Sequence, residues 1–480
     1  MNFKLLISAS LLGFLFFSCK LGPEKGTTTR INSGNLKEYF SKKDCSSDNE
    51  KITLDKNGAG ILSKFTVRNF KFSAKLKTTE GAEGMISFAT DNKEKKGYQV
   101  FINNSDYRIG DARKTGSLLK IRNNFIRTVF NDQWFEIGIS VEASLIKISV
   151  NGKIISEYRE PSDPNRPAEL AGMILSKGHL FVQKINDKGQ LLIGEMNIRP
   201  LEDKLRSVTI VERKDSLTGQ VDQLNRIGFP LIDFHGHLKG GLTMEQACQH
   251  GRDNGYNYGI AANCGLKFPI TNDSTLIAYL NGIAQEPVFK VMQCEGREWV
   301  TLFSPESVAR FDYIFTDAMT WTDYKGRRMR LWIPEETFVD NDQQFMDMLV
   351  SKIESIMSKE PVDIYVNPTF LPASLVPRYD ELWTPQRMDR VIKVLKDNDV
   401  ALEINARYKI PSIPFIKRAK AAGVKFTFGT NNGSNNDLGR LEYCLKAIKE
   451  AGITPEDVFL PRPSNDKKVM KMGLPSRITG

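Results

Sequence analysis

From Gly228 onward, short apolar runs alternate with amphipathic segments, and this alternation restricts the fold more than any other feature of the chain. Seven runs have the length and composition of buried strands: PLIDFHGH, YGIAANCG, VFKVMQCEG, FDYIFTDA, DIYVNPTF, ALEINARY and KFTFGTNN. The segments between them, such as PQRMDRVIKVLKDN, carry apolar residues at helical spacing. This order predicts a closed α/β barrel, related to the TIM barrel, over residues 227–470. No glycine-rich dinucleotide loop follows the first run, which argues against a Rossmann domain.

Residues 31–201 differ from this second half because their apolar and polar residues alternate with a period of two. In the stretch SVNGKII, Asn151 and Gly152 readily adopt the positive φ angles that a tight hairpin turn requires. Many half-buried strands with almost no helical periodicity predict a sandwich of two antiparallel sheets. Residues 202–226 are charged and roughly helical, so we assign them to a linker, and we assign residues 471–480 to a C-terminal tail.

The N-terminal segment, residues 1–19, indicates export and lipid attachment. Lys4 precedes the apolar stretch LLISASLLGFLFFS, which is shorter than the ~20 residues that cross a bilayer and is typical of a signal peptide. Cys19 follows the small residue Ser18 at the end of this stretch, an arrangement that resembles a bacterial lipobox. The resemblance implies that Cys19 is lipidated and that residues 20–30 form a tether. We therefore expect a membrane-anchored lipoprotein of the bacterial cell envelope, facing the periplasm or the outside.

The formal net charge of +10 is spread along the chain rather than concentrated in one arm. No basic run is interleaved with aromatic residues, so we expect no nucleic-acid partner. A basic surface is equally consistent with an anionic membrane or an anionic ligand.

Polar residues stand at the ends of the predicted barrel strands, where α/β barrels place their working residues. These are His235, His237, Asn263, Cys264, Glu295, Arg297, Asp317, Asn367, Glu403, Asn405, Arg407, Asn431 and Asn432. His235 and His237 are two residues apart on one strand, so their side chains point to the same side. Two imidazoles and a carboxylate are ordinary ligands for zinc, iron or manganese. The sequence therefore predicts a metal site at the barrel mouth.

The sandwich segment resembles the 3-keto-disaccharide hydrolase domain. The motifs that carry this resemblance are GYQVFI (97–102), TGSLLK (115–120), QWFEIGISVEASLIKISVNGKIISEY (133–158) and GHLFVQ with GEMNIRPL (178–201). The resemblance implies a jelly-roll, concanavalin-like sandwich that binds or cleaves 3-keto-glycosides. Polar residues that the family usually has are replaced here by Gln99, Phe101 and Phe135, which favours glycan binding over hydrolysis by this domain.

The barrel segment resembles the polymerase-and-histidinol-phosphatase superfamily of metal-dependent phosphoesterases. DFHGH matches its first motif, Glu295 stands at its bridging glutamate, and LEINARYKIPSIPFIKRAKAAGVKFTFGTNNGS follows a later segment. Other ligand positions differ, because the family's Asp-His is Asn263-Cys264, a later histidine is Asn367, and the final aspartate is Asn431. The chain has four histidines, none after residue 250, which excludes a complete three-metal site and disfavours an amidohydrolase.

A reduced site with one divalent transition metal, Zn, Mn or Fe, is the prediction that follows. Its ligands would be His235, His237 and Glu295. The candidate catalytic residues are Arg297, Arg407 and Asn431, and the candidate substrate-binding residues are Asn367, Asn405 and Lys239. We expect a hydrolase or lyase that acts on a carbohydrate or its ester, with a glycan-binding sandwich. Two alternatives stay open: 3-keto-glycoside cleavage by the sandwich, and a non-catalytic glycan-binding lipoprotein whose barrel has lost its chemistry.

Overall fold

The computed structural model describes residues 22–91, 97–164, 166–202 and 216–476. The predicted signal peptide, the lipid-attachment site Cys19, and parts of the predicted tether, linker and tail lie outside these residues. Within them, a sandwich of two antiparallel sheets is followed by a closed parallel barrel with helices around it, which confirms the predicted fold class.

The sandwich consists of thirteen strands and one short helix. The strands are β1 Thr29–Ile31, β2 Phe40–Lys43, β3 Ser46–Ser47, β4 Ile52–Leu54, β5 Gly60–Ser63, β6 Phe70–Thr78, β7 Glu83–Thr90, β8 Tyr98–Asn103, β9 Phe135–Glu142, β10 Leu145–Val150, β11 Lys153–Arg159, β12 His179–Lys184 and β13 Leu191–Pro200, and the helix is α1 Leu36–Tyr39. One sheet has the order β11-β10-β9-β6-β13-β4-β3, with β1 also paired to β13, and the other has the order β2-β5-β12-β7-β8.

Alternating burial explains why these segments form a sandwich. Along β6, Phe70, Phe72, Ala74 and Leu76 are buried, and the residues between them are exposed or half-buried. Their partners in the neighbouring strand β9 alternate in the same way, so one face of the sheet is apolar. The two apolar faces enclose one continuous core.

The barrel closes in the order β14-β15-β16-β17-β20-β21-β22, all parallel. Its strands are β14 Ile232–Gly236, β15 Asn257–Cys264, β16 Phe289–Cys294, β17 Tyr313–Thr316, β20 Ile364–Tyr365, β21 Ala401–Asn405 and β22 Phe426–Gly429, and a hairpin of β18 Thr320–Thr322 and β19 Arg328–Arg330 follows β17. Each of the seven predicted apolar runs contains one barrel strand. The hairpin was not predicted, because its strands of three residues carry no period long enough to recognise.

Helices precede, connect and follow the barrel strands. They are α2 Ser216–Arg226, α3 Met244–Asn254, α4 Asp273–Gly282, α5 Pro305–Val308, α6 Asp342–Lys359, α7 Tyr379–Leu382, α8 Pro385–Asp397, α9 Ile413–Ala421, α10 Glu442–Ala451 and α11 Lys468–Met472. Short 3₁₀ helices are Ala168–Leu170, Glu298–Thr301, Pro334–Glu336, Val376–Arg378, Pro455–Asp457 and Ser464–Asp466. Within the described ranges, none of the helices combines the length and apolarity that a membrane span needs.

A long loop of the sandwich, residues 104–134 between β8 and β9, packs against the barrel. Phe125 and Ile126 of this loop belong to the same buried cluster as the barrel core. The backbone N–H of Phe125 donates to Oδ1 of Asn257 at 2.7 Å, and Asn257 is the first residue of β15. The Tyr107 ring lies 6.3 Å from the ring of Phe289, the first residue of β16. The loop therefore contacts the N-terminal ends of the barrel strands.

Polar contacts fix the same junction. Asn123 Nδ2 donates to the carbonyl of Asn225 at 2.6 Å, and the Asn123 N–H donates to Asn225 Oδ1 at 2.9 Å. Asn225 lies in α2, and its side chain also donates to the carbonyl of Gly255 at 2.9 Å. Because all three residues are at the junction, the two asparagines connect the sandwich, α2 and the barrel. The sandwich therefore covers one end of the barrel, and the C-terminal ends of the barrel strands lie at the opposite end.

We expect the Phe125→Ala substitution to destabilise both domains together. Phe125 is 1% exposed, and truncating a buried phenylalanine typically costs about 3–5 kcal/mol in the free energy of unfolding. Phe130→Ala, in the same loop but 47% exposed, is the matched control and should cost about 0.5 kcal/mol. Chemical denaturation followed by fluorescence measures both values. Equal, small effects in the two variants would contradict the packing role of the loop.

Candidate functional site

The histidine pair lies at the C-terminal end of β14. His235 is in the strand, and His237 directly follows it. The His235 ring packs at 4.5 Å from the ring of Phe315 in β17, which is three strands away around the barrel, so His235 points into the barrel. The two imidazole centroids are 5.1 Å apart, and both side chains are almost completely buried. The pair therefore forms part of the inner lining near the barrel mouth.

In each of the two histidines, one ring nitrogen has a hydrogen-bond partner and the other has none among the described residues. His235 Nδ1 lies 2.6 Å from Glu403 Oε1, and His237 Nδ1 lies 3.2 Å from the carbonyl oxygen of Ala261. A carbonyl oxygen only accepts, so His237 Nδ1 carries the proton. Both Nε2 atoms are buried and have no hydrogen-bond partner among the described residues. Burial and the nearby charges of His235 and Lys239 hold the pKa of His237 well below its usual range, so its Nε2 presents a lone pair.

Glu403 is the centre of the hydrogen-bond network around His235. Besides the His235 contact, its Oε2 accepts from the N–H of Asn367 at 2.6 Å and from Asn405 Nδ2 at 3.0 Å. Gly429 of β22 lies between Glu403 and His235. A Cβ at this glycine would lie 2.8 Å from the His235 Cβ and would also collide with Glu403 Oε1. The absence of a side chain at residue 429 therefore allows Glu403 to reach His235 across β22.

Three asparagines extend this network. Asn367 Oδ1 accepts from Asn405 Nδ2 at 2.9 Å and from Asn431 Nδ2 at 2.8 Å. Asn367 and Asn431 have φ angles of 46° and 42°, a left-handed region in which asparagine is more frequent than most other residues. The Asn431 N–H donates to the His235 carbonyl at 2.9 Å, and the Arg407 guanidinium donates to the Asn431 carbonyl at 3.1 Å. The asparagine side chains thus make contacts with one another and hold the position of Glu403.

Two further carboxylates lie beside the histidines. Glu295 Oε1 accepts from Asn263 Nδ2 at 2.5 Å. Burial, and then the neighbouring Asp317 carboxylate, raise the pKa of Glu295 to about 7. Burial also raises the pKa of Asp317, whose Oδ1 accepts from the Met319 N–H at 3.0 Å. The mouth therefore holds two carboxylates that interact with each other and with His235.

The predicted cations divide into two groups. Lys239 is half-buried, and burial together with the Arg407 charge lowers its pKa, so these two residues lie near each other at the mouth. Arg297 has different partners: its guanidinium donates to both oxygens of Glu360 at 3.0 and 3.1 Å and to Thr316 Oγ1 at 2.6 Å. Arg297 is only 4% exposed, so these buried contacts leave little of its surface for a substrate.

The predicted metal ligands are close to one another but do not surround a common point. In residues 22–91, 97–164, 166–202 and 216–476, no three His, Cys, Asp or Glu side chains are grouped as metal ligands are. The His235 and His237 ring centroids are 5.1 Å apart, and the His235 imidazole lies close enough to Glu295 to influence the pKa of that carboxyl. The three-ligand set of His235, His237 and Glu295 therefore stays a prediction.

Glu403 and Asp317 were named among the polar residues at strand ends, but neither was assigned a role as a metal ligand, catalytic residue or substrate-binding residue. The available signal was their position: Glu403 lies in β21 and Asp317 directly follows β17. What the sequence could not provide was the partner of each carboxylate. The contact between Glu403 and His235 joins residues 168 positions apart and depends on the glycine in the strand between them.

Residues 25–199 match the model of the 3-keto-disaccharide hydrolase family, which is described as a 3-keto-alpha-glucoside-1,2-lyase-like domain. This match confirms the family resemblance of the N-terminal domain. A search of curated protein sequences found no match to this chain.

Several solved structures are similar to this chain over part of its length. A protein from Parabacteroides distasonis ATCC 8503, provisionally named a glycosyl hydrolase, is 12% identical and covers 36% of this chain and 98% of its own, with a TM-score of 0.31. The carbohydrate-binding module CBM66 from Bacillus subtilis is 12% identical over 36% of this chain and 94% of its own, with a TM-score of 0.24. Histidinol phosphate phosphatase from Lactococcus lactis, complexed with Zn, L-histidinol and phosphate, is 12% identical over 47% of this chain and 95% of its own, with a TM-score of 0.36. Similarities this weak carry no information about activity.

We expect Gly429→Ala to disturb the histidine pair. The added Cβ would push Glu403 and His235 apart, and overpacking of this kind costs about 1–3 kcal/mol in the free energy of unfolding. The matched control is Gly219→Ala in α2, where a Cβ would meet nothing within 4 Å. Because alanine favours the helix, this control should gain up to about 1 kcal/mol. Denaturant titration measures both changes, and a neutral Gly429→Ala variant would contradict the close approach.

Proposed function

We propose that this protein is a cell-envelope lipoprotein that acts on a carbohydrate or its ester as a hydrolase or lyase. The chemistry takes place at the barrel mouth, where one divalent transition metal, Zn, Mn or Fe, binds to the histidine pair. The sandwich binds the glycan. The similarity of residues 25–199 to a 3-keto-alpha-glucoside-1,2-lyase-like domain supports a carbohydrate ligand.

The observation that carries this proposal is the pair of free Nε2 atoms. Buried polar atoms normally have partners, and leaving one unpaired costs about 1–3 kcal/mol. The Nε2 atoms of both His235 and His237 lack a partner, and their ring centroids are 5.1 Å apart, so this cost arises twice at one place. Each ring is held at Nδ1 by an acceptor, which is how metal-binding histidines are oriented by their surroundings. A cation held by His235 and His237 would give both Nε2 atoms a partner.

The donor set fits a transition metal more closely than Ca²⁺ or Mg²⁺, because imidazole nitrogen suits Zn and Fe whereas Ca²⁺ and Mg²⁺ prefer oxygen ligands; the carboxylate of Glu295 is the ligand that suits Mn. His235 and His237 would hold the ion, and Glu295 is the carboxylate proposed to join them. A bound divalent ion supplies Lewis acidity, which polarises a carbonyl or ester group.

The other residues of the mouth position the substrate and the histidines. Lys239 and Arg407 are the cations placed to orient an anionic or hydroxyl-rich group. Asn367, Asn405 and Asn431 support Glu403, which in turn fixes the His235 ring. Arg297 is a positioning residue in this scheme, since its guanidinium holds Thr316 at the end of β17, directly before Asp317.

A second candidate function places the cleavage of 3-keto-glycosides in the sandwich, and the family match of residues 25–199 favours it. The face of the second sheet that points away from the core carries Ser87 and Gln99, which are opposite each other on β7 and β8. Ser87 is buried, and its Oγ has no partner among the described residues, whereas Gln99 is half-buried and is the polar side chain of this pair that a ligand would contact. Phe101 on the same face is buried beneath the Arg113 guanidinium, 5.7 Å from its ring.

We expect elemental mass spectrometry of the chain lacking residues 1–19 to find about one transition metal per chain. The His235→Ala/His237→Ala variant should lose the metal, because both free Nε2 atoms are removed. His250→Ala is the matched control: this barrel histidine contacts the Tyr258 hydroxyl at 2.7 Å and should not affect the metal content.

Absence of metal from the unaltered chain, with all variants folded, would contradict the metal-dependent function. Assays with 3-keto-glycosides and phosphoesters then distinguish the two catalytic candidates. Cleavage that is lost in the double histidine variant places the chemistry in the barrel. Cleavage that persists in that variant but is lost in Gln99→Ala places it in the sandwich.

The proposed location in the envelope depends on Cys19, so we expect Cys19→Ser to move the protein from the membrane fraction to the soluble fraction. The reason is that only the Cys19 thiol would accept the lipid. Cys45→Ser is the matched control, because Cys45 is a free, half-buried thiol of the sandwich. Cell fractionation and immunoblotting in a bacterial host measure the distribution. A Cys19→Ser protein that stays in the membrane would contradict lipid attachment at this residue.

A further inference from the structure

A basic cavity lies beside the first described residue of the chain. Its volume is about 360 Å³, and its lining includes Gly22, Pro23 and four cationic residues. The four are Lys25, Lys64, Arg68 and Lys177. These residues come from the start of the sandwich, from the segment before β6 and from the segment before β12. The fold therefore gathers charges from three separate parts of the sequence onto one surface, which we call the basic face.

Most of the charge on the basic face is not neutralised within the protein. Lys64 Nζ donates to the carbonyl of Lys37 at 2.5 Å, which provides no countercharge. Arg68 and Lys177 are exposed and form no ion pair with any residue that the structure describes. Three of the four cations, Lys64, Arg68 and Lys177, therefore have no ion-pair partner among the described residues and leave the face positive.

The backbone keeps the cations and the apolar side chains of this face on opposite sides. From Lys64 to Arg68, exposed and buried residues alternate, so Phe65 and Val67 pack inward while Lys64 and Arg68 reach solvent. Val67 is bridged to Gly178, which holds Lys177 beside this segment. The face therefore presents its cations to solvent while its apolar residues pack into the sandwich.

The position of the basic face along the chain limits its distance from the proposed lipid anchor. Gly22 is three positions after Cys19 in the sequence, and even a fully extended chain of this length spans only about 11 Å. This distance is comparable to the Debye length of about 8–10 Å at physiological ionic strength. Any lipid attached to Cys19 would therefore keep the basic face within electrostatic range of the bilayer.

We infer that the basic face docks on a bilayer that contains anionic phospholipids. The anchor would keep the protein at the membrane, and the face would fix the orientation of the sandwich on it. Anionic headgroups attract Lys and Arg side chains near the surface, and each such side chain raises partitioning about fivefold. The role in the cell rests on the proposed lipid attachment, but the affinity of the face for anionic lipid does not.

The test uses the chain from Lys20 onward, which lacks the lipid and keeps every described residue. Its binding to vesicles of phosphatidylcholine is compared with its binding to vesicles that also contain phosphatidylglycerol, by sedimentation at low salt. Lys64→Gln/Arg68→Gln/Lys177→Gln removes the charges of the face. Lys417→Gln/Lys446→Gln/Lys449→Gln, on exposed positions of α9 and α10, lowers the net charge equally and is the matched control.

We expect binding only to the anionic vesicles, an affinity about 100-fold lower for the face variant, and little change for the control. Binding should also weaken as salt is added. Equal losses in the two variants would overturn the proposal, because net charge alone would then explain the binding. Absence of binding by the unaltered chain would overturn it as well. Either failure leaves the Cys19 experiment unaffected, so a wrong basic face and a wrong anchor are distinguishable.

Discussion

The insertion of the sandwich loop against one end of the barrel is the contact on which the arrangement of the molecule depends. Phe125 and Ile126 share the core of the barrel, and the Asn123–Asn225 hydrogen bonds join the loop to α2. Separating the domains would expose these apolar side chains and break these hydrogen bonds, so it would cost free energy in two ways. With the N-terminal ends of the strands covered in this way, the opposite end of the barrel holds the polar residues.

That division also separates the two candidate sites. The histidine pair is at the C-terminal ends of the barrel strands, whereas the sandwich contacts their N-terminal ends. Even strands of about five residues keep these ends roughly 16 Å apart. A glycan bound to the sandwich would therefore need to be long, or to be presented by a second contact, to reach His235 and His237. Under the proposed function, glycan binding and chemistry on separate surfaces would suit a polymeric carbohydrate better than a disaccharide.

The sequence predicted the fold well because the fold depends on local periodicity. Each of the seven apolar runs corresponds to one barrel strand, and the amphipathic segment PQRMDRVIKVLKDN forms α8 as expected. Periodicity did not reveal the hairpin after β17, nor did it show that the loop at 104–134 covers the barrel. Loop packing depends on shape complementarity between distant residues, and such complementarity leaves no period in the sequence.

The site was predictable as a set of positions but not as a set of contacts. The parallel arrangement alone places His235, Glu295, Asp317 and Glu403 at one end of the barrel. Whether a polar residue points at a substrate or at a neighbour depends on partners far away in sequence. Arg297 illustrates this limit, since its charge is matched by Glu360, which no motif connects to it. Glu403 shows the same limit for a residue that does belong to the site, because its contact with His235 requires a glycine, Gly429, between them.

The polar lining of the barrel mouth helps to decide whether the barrel binds a ligand or is only a structural scaffold. Buried polar groups cost free energy unless every one is satisfied, and an apolar lining of equal volume is often more stable. Here Glu403 and three asparagines are hydrogen-bonded to one another, and Glu403 contacts His235. Yet the Nε2 atoms of His235 and of the adjacent His237 have no partner among the described residues. A barrel kept for shape alone would gain stability by replacing both histidines with apolar residues. The arrangement is therefore better explained by a ligand that completes it.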